Sequence, residues 1–291
     1  MPELPEVQIT VNGLNHTVKG RKILRVATTY NSKFFKNKDE IKNPKFFAKF
    51  KQKITGRKIL KAERRAKNVL LYLTGGQTIL VHMKMTGHFV YNRVVPFIRL
   101  DFTLDNGKHL FLSDMRKFAK VTLIETSLLS EFTHLKHLGP EPLERSFKFE
   151  VFKSQVLKKP KGKIKRVLMD PKIIAGIGNI YSDEILWYSN VHPLSRVSVI
   201  PDKNLHAMYK ATRELLRKGV TLGGDSMSDY RNIHGEKGYF QEHHRAYQKH
   251  GTKCSKRGPR RGGARCQGIL EKITIGARSA HFCPKHQKFY K

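Results

Sequence analysis

IRLDFTLDNGKHLFLSD, residues 98–114, holds two runs in which apolar and polar residues alternate, joined by Asp105-Asn106-Gly107. Alternation with period two sends successive side chains to opposite faces of a strand. An Asn-Gly pair between two such runs supplies the positive φ angles that a tight hairpin turn requires. The stretch therefore predicts two antiparallel strands with one buried face. The same reading extends upstream: TILVHMKMTGHF (78–89) alternates well enough for a strand ending at Gly87, and Arg57, Ile59 and Lys61 sit in another. Many short strands separated by turn residues predict a sandwich or barrel over residues 1–125, after a short helix at about 5–18.

Downstream the period changes. SLLSEFTHLKHLGPEPL (127–143) reads as a helix ending at Gly139-Pro140, and 147–158 and 163–170 also read as helical. In NLHAMYKATRELLRKGV (204–220), Leu205, Met208, Thr212, Leu215 and Leu216 fall on one stripe, the mark of an amphipathic helix. A Gly-rich polar stretch follows at 223–238, and the basic C-terminal segment holds all three cysteines. The expected organisation is a β domain (1–125), a helical domain (126–244) and a small metal module (245–291).

The 291 residues carry 57 Lys plus Arg against 23 Asp plus Glu, a formal charge of +34, with 39% hydrophobic and 10% aromatic residues. So positive a surface seeks a polyanion, because neutralising phosphates releases condensed counterions. Nucleic acid is the expected partner, ahead of an anionic membrane or a merely solvated surface. No apolar run approaches the ~18 residues that a membrane span needs. The N-terminus lacks the basic-then-apolar pattern of a signal peptide. Three cysteines cannot make a full disulfide framework, so a reducing, cytoplasmic setting is expected.

Cys254, Cys266 and Cys283 are followed by His286. Cys283-Pro-Lys-His286 has a two-residue spacer, the reach at which two ligands on a tight turn grip one ion, whereas eleven residues separate Cys254 from Cys266. Three thiolates and one imidazole make a closed tetrahedral zinc site of the structural kind, able to hold together a segment too short and polar for its own core. The intervening SKRGPRRGGAR (255–265) is rich in lysine and arginine and has no acid, and is expected on phosphate or in a flexible loop.

Taken together, eight segments resemble one family in register: MPELPEV at the start, RRAKNVLLYL (64–73), HMKMTG (82–87), DMRKFA (114–119), HLKHLGPEPL (134–143), LMDPKIIAGIGNIYSDE (168–184), GYFQ (238–241) and ARSAHFCPKHQ (277–287). The chain is similar to the formamidopyrimidine-DNA glycosylases, in the superfamily that also contains endonuclease VIII. The resemblance implies an α+β, multidomain fold: an N-terminal two-layered β-sandwich, a helical domain with a helix–two-turn–helix motif, and a C-terminal zinc finger. It implies a monomer acting on damaged double-stranded DNA, nucleoid-associated if bacterial, as a bifunctional DNA glycosylase and AP lyase. One structural zinc ion is the implied cofactor.

The opening residues then make chemical sense. From PELPE alone, an acidic helix start is the plainer reading. If Met1 is removed, Pro2 carries a free secondary amine. An α-amine titrates near 8 and a lysine near 10.4, so roughly a tenth of the former is uncharged and nucleophilic at pH 7. Attack on the sugar C1′ leaves an iminium with no N–H to lose, an electron sink that acidifies the adjacent C2′ proton. The resemblance assigns Glu3 as general acid/base; Glu6, one helical turn further on, is expected to support the helix N-terminus or orient Glu3 rather than to do chemistry. The resemblance assigns Lys67 and Arg278 as assistants of elimination and phosphate contacts. Met85, Arg116 and Phe118 match the trio that fills the gap left by an extruded nucleotide. Asn179 and Lys165 match phosphate-facing residues, and Glu184 matches a carboxylate near the terminal amine.

Four departures stand out. Arg99 occupies a position where purine-specific members have a DNA-contacting histidine. Asp225-Ser226 replaces the usual Thr-Thr in GGDSMSDYRNIHGEKGYFQ (223–241), although a loop of this length favours oxidised purines over pyrimidines. The first ligand pair of the finger is stretched. Its last cysteine is His286, which leaves His281 and His250 as alternative ligands. Two rival functions follow: an oxidised-pyrimidine glycosylase of the endonuclease VIII type, and a DNA-binding relative whose chemistry has lapsed.

Overall fold

In the structure, residues 98–114 form the hairpin that their alternation predicts: β6 (Ile98–Leu104) pairs antiparallel with β7 (His109–Ser113), Phe102 opposite Leu110. Gly107 takes φ +73° and its N–H donates to Leu104 O. Leu100, Phe102, Leu104, Leu110 and Leu112 are buried, so one face of the hairpin is core. The computed structural model describes residues 1–30, 35, 38–258 and 263–291. They divide into two compact units, Met1–His137 with Gly219–Gln241, and Leu138–Lys218 with Glu242–Lys291.

The first unit contains two four-stranded antiparallel sheets. One runs β1-β6-β7-β5, with β1 Ile23–Thr28 and β5 His88–Tyr91. The other runs β2-β3-β4-β8: Ile59–Arg65, Asn68–Leu73, Gln77–His82 and Lys120–Glu125. Their inward residues share one core, Val26, Phe89 and Leu112 from one sheet with Val69, Ile79 and Val121 from the other. Helix α1 (Leu4–Thr17) adds Val7, Val11 and Leu14. Helix α2 (Pro44–Ile54) lies inside a region that the sequence reads mainly as strands. Its start is chemically explicit: Asn43 caps by accepting from Lys45 N (3.1 Å), Pro44 opens the first turn, and Phe50 and Ile54 are buried. Residues 219–241 return to this unit, where Ile233 joins the core.

The second unit holds short helices and a two-stranded ribbon. Its helices are α4 (Phe149–Leu157), α5 (Ile164–Met169), α6 (Asn179–Tyr188) and most of α7 (Asp202–Thr221). The ribbon pairs β9 (Glu271–Ile275) with β10 (Arg278–Phe282). The helix predicted over 127–143 reduces to one 3₁₀ turn (Thr126–Leu128) and one α-turn, α3 (Thr133–Lys136). The reason is burial: Leu128 is exposed and Leu135 is the only buried residue of α3, so no apolar face offsets the cost of helix nucleation.

Candidate active site and metal centre

Helix α1 begins with a reciprocal cap. Glu3 is the N-cap, its carboxylate taking the backbone N–H of Glu6, while Glu6 Oε2 accepts Glu3 N at 2.8 Å. Pro2 and both carboxyls are buried. Burial, with Glu3 close by, pushes the Glu6 carboxyl up to about 7. The helix lies antiparallel along β2. Gln8 Oε1 accepts from Arg64 Nε (2.9 Å), and Asn15 exchanges two hydrogen bonds with the Ala62 backbone (2.8 and 2.9 Å). Moving toward the start of α1 is therefore moving toward the end of β2. That end is the two-residue turn Ala66-Lys67, with Ala66 at φ +53°. Pro2, Glu3 and Lys67 thus belong to one end of the sandwich. The neighbouring His82 is pushed down to about 3 by burial, with Lys84 and Lys67 adding to the shift.

A loop closes on the same helix start. Asp225 N donates to Glu6 Oε1 (2.8 Å) and the Tyr230 hydroxyl to Glu6 O (3.0 Å). The loop's neck is fixed by glycine: a Cβ on Gly238 would stand 2.2 Å from the carbonyl oxygens of Gly223 and Gly224. Ser226 N donates to Gln241 Oε1 (2.9 Å) and Gly238 N to Ser226 Oγ (2.8 Å). Asp225 and Ser226, the departures in sequence, are therefore integral to the loop's own bonding. Met85, Arg116 and Phe118 come from two other loops of this unit. Phe118 is 48% exposed, and the Arg116 guanidinium lies 4.6 Å over its ring. Arg99, on β6, donates from Nε to Asp114 O (3.0 Å).

In the second unit Asn179 is the first residue of α6, after Gly178 at the N-cap. Its Nδ2 donates to Ser279 Oγ (3.3 Å), next to Arg278, which is exposed at the start of β10 beside the Gly276-Ala277 turn. One expected role is corrected here. Lys165 does not face outward: it is 1% exposed, its Nζ paired with Asp183 Oδ1 and donating to Ser182 Oγ (3.2 Å). Its charge is answered inside the fold, because a buried ammonium must be paired. Glu184 is also buried, and its carboxylate accepts the backbone N–H groups of Arg245, Ala246 and Tyr247 at 2.9–3.1 Å. It anchors the chain entering the cysteine-bearing segment. Asp183, which the sequence reading passes over, also accepts His281 N (3.0 Å) and faces His281 Nδ1 (2.9 Å).

Cys254, Cys266, Cys283 and His286 converge, with their four ligand atoms all within 4.8 Å of one another. Cys254 Sγ lies 3.3 Å from His286 Nδ1, and Cys266 Sγ lies 3.7 Å from Cys283 Sγ. Ligands about 2.0–2.3 Å from a tetrahedral ion would stand about 3.5–3.8 Å apart, so the set fits a metal. His286 Nε2 faces Trp187 O at 3.2 Å, which leaves Nδ1 as the free lone pair. Burial drops the imidazole to about 4, so it is neutral at pH 7, the form that ligates. Backbone N–H groups of Lys256 and Gly268 donate to the Cys254 and Cys266 sulfurs (3.5 and 3.4 Å). His281 is engaged with Asp183 and lies outside the four. Of the basic segment 255–265, residues 259–262 lie outside the described residues.

Two family models match the chain, the formamidopyrimidine-DNA glycosylase N-terminal domain over residues 1–121 and the formamidopyrimidine-DNA glycosylase H2TH domain over residues 138–231. The formamidopyrimidine-DNA glycosylases of Pelotomaculum thermopropionicum and Streptococcus pneumoniae are each 34% identical over 292 residues, covering 99% of this chain and 99% of theirs. Among solved structures, the Lactococcus lactis Fpg in complex with abasic-site DNA has a TM-score of 0.85 at 29% identity, covering 98% of this chain and 99% of that one. The MutM (Fpg) protein of Thermus thermophilus has a TM-score of 0.83 at 30% identity, covering 100% of both chains.

Proposed function

The chain belongs to the formamidopyrimidine-DNA glycosylase family, and from that premise we propose that it is a bifunctional DNA glycosylase and AP lyase of base excision repair. Its substrates are oxidised purines, 8-oxoguanine and formamidopyrimidines, in duplex DNA. The observation that carries the reading is the head of α1, where Pro2 and Glu3 are buried at the end of the sandwich that also presents Lys67. Once Met1 is removed, the Pro2 nitrogen forms a bond to C1′ and the damaged base leaves with the electron pair of its glycosidic bond. Glu3 supplies the proton that opens the sugar at its ring oxygen. The resulting iminium withdraws electrons from C2′, whose proton is lost as the 3′ phosphate departs. A second elimination, assisted by Lys67 and Arg278, releases the 5′ phosphate.

Glu6 serves this chemistry indirectly, by holding the N-cap of α1 and the neck of the 223–238 loop together. Met85, Arg116 and Phe118 fill the space that the extruded nucleotide vacates, and Arg99 and Asn179 contact backbone phosphates. Zinc is the metal that three thiolates and one imidazole suit, and one structural ion held by Cys254, Cys266, Cys283 and His286 fixes the ribbon that bears Arg278. The enzyme acts as a monomer. The loop's length favours the purine branch.

The test is borohydride trapping on duplex carrying 8-oxoguanine opposite cytosine, with intact mass reporting the state of Met1. A covalent adduct that is lost in Pro2→Gly with Met1 retained is the expected result. Trapping on an oxidised-pyrimidine duplex instead would move the enzyme to the other branch. No trapping on any lesion, despite processed Pro2 and tight binding, would overturn the enzymatic reading.

A further inference from the structure

Asp114 opens the DMRKFA segment, in which Arg116 and Phe118 have roles by resemblance and Asp114 has none. Its side chain is fully buried. Both carboxylate oxygens are occupied, by donors from three separate parts of the chain. Oδ1 accepts the Thr86 hydroxyl (2.6 Å), from the turn that follows Met85. Oδ2 accepts the Tyr30 hydroxyl (2.8 Å), from just beyond the end of β1, and the backbone N–H of Ala119 (2.8 Å). The Thr86 oxygen in turn accepts Arg116 N at 3.1 Å.

The topology of these bonds is specific. Asp114 and Ala119 are buried, and the four residues between them, Met115 to Phe118, are exposed. The Oδ2–Ala119 bond therefore staples the two ends of one projecting loop. Lys117, at its tip, takes φ +56°, a conformation that a non-glycine residue adopts only when its surroundings enforce it. The Oδ1–Thr86–Arg116 relay ties that loop to the neighbouring one that carries Met85. One buried carboxylate thus sets the spacing between the two loops that bear the three gap-filling side chains.

We propose that Asp114 is the positioning residue of the group that fills the gap, holding Met85, Arg116 and Phe118 in register so that they enter the duplex as one unit. The proposal rests on the reading of the chain as a nucleotide-extruding glycosylase. Its physical basis is preorganisation. Three side chains that replace stacking and pairing at once must already stand at the spacing of the opened step, or the entropy of ordering them subtracts from binding. A buried carboxylate suits the task because it accepts several strong hydrogen bonds from fixed directions and donates none.

The test separates extrusion from chemistry. Excision of 8-oxoguanine from duplex requires the gap to be filled. Strand cleavage at a preformed abasic site in a single-stranded oligonucleotide does not. Asp114→Asn offers one oxygen to three donors and turns an N–H toward at least one of them. It should lower duplex excision about ten- to a hundredfold, the range set by losing a hydrogen bond to a charged group. Single-strand abasic cleavage should stay within about twofold of the wild type, and a 2-aminopurine beside the lesion should lose its unstacking signal. Thr86→Val, which cuts the relay without touching the carboxylate, should repeat the pattern if Asp114→Asn fails to fold, and Thr86→Ser should restore activity. Equal losses on both substrates in soluble variants would overturn the proposal, as would no loss on either. A wild-type chain that cleaves abasic sites and ignores every duplex lesion would instead overturn the functional reading beneath it.

Discussion

Replacing Lys165 by methionine tests the correction that the structure makes to the phosphate-facing role. Lys165 and Asp183 are both essentially unexposed and ion-paired, and Asp183 is further bound by His281 N and Nδ1. Lys165→Met keeps the volume and removes the charge, which leaves a buried carboxylate with one partner fewer. Breaking a buried pair from one side costs about 3–5 kcal/mol, because the remaining charge is uncompensated. For a unit of this size, roughly 3–4 °C per kcal/mol applies, so the melting temperature of the second unit should fall by about 10–20 °C. Lys165→Met combined with Asp183→Asn should recover part of that loss, since the stranded charge is gone.

Differential scanning calorimetry reads the stability, and the salt dependence of binding to an abasic-site duplex reads the alternative. A lysine that contacts phosphate contributes about one unit to the slope of log K against log salt. The buried pair predicts a large drop in melting temperature with the slope unchanged for the fraction that stays folded. An unchanged melting temperature with a slope reduced by about one would refute the reasoning and return Lys165 to the DNA.

Three further outcomes follow from the geometry. The folded chain holds the Glu6 proton more tightly than the unfolded one, with a pKa of about 7 against 4.5, so wild-type stability should fall relative to Glu6→Gln as pH rises from 4.5 to 7, by about 3 kcal/mol at 1.36 kcal/mol per unit. Parallel denaturation curves for the two proteins across that window would count against the buried, proton-binding carboxyl. Purified protein should hold one equivalent of zinc by mass spectrometry, with an X-ray absorption spectrum fitted by about three sulfurs at 2.3 Å and one nitrogen near 2.0 Å; His286→Ala should lose the nitrogen shell and weaken binding. A Cβ on Gly268 would sit 2.4 Å from Cys283 Sγ, so Gly268→Ala should release zinc to a chelator faster than the wild type, measured by a colorimetric indicator.

What the sequence made legible, and what it did not, divides along the range of the interactions involved. The 98–114 hairpin is written locally: alternation sets which face is buried and Gly107 sets the turn, so the paired strands follow from neighbours in the chain. The cysteine and histidine cluster is legible for a related reason, since thiolates favour a soft cation and all three cysteines, with His286, fall in the last 38 residues of the chain, Cys254 to Lys291. Helix α6 was illegible because nearly all of it is buried. A helix without a polar face has no amphipathic period to read, and its SDE segment resembles a stretch turned to solvent.

The internal partners of Lys165, Asp183 and Glu184 were illegible for a deeper reason. Motif position assigns a charge to a ligand, but only the packing tells whether that charge is already answered within the protein. Asp183 meets Lys165 and His281 across 18 and 98 residues of chain, and Glu184 meets backbone amides 61–63 residues away; no local pattern encodes such partners. Asp114 is the same case seen from the other side. Its value lies in being bound at once by Tyr30, Thr86 and Ala119, none of which looks like a carboxylate partner in sequence. The basic residues proposed to touch DNA in a protein of +34 charge are interchangeable in type with dozens of other cations, so their identity rests on where they are held. It is the buried acids, few and destabilising when left unpaired, that do the holding, and a basic enzyme of this kind is better understood by asking what each of its buried carboxylates fixes in place.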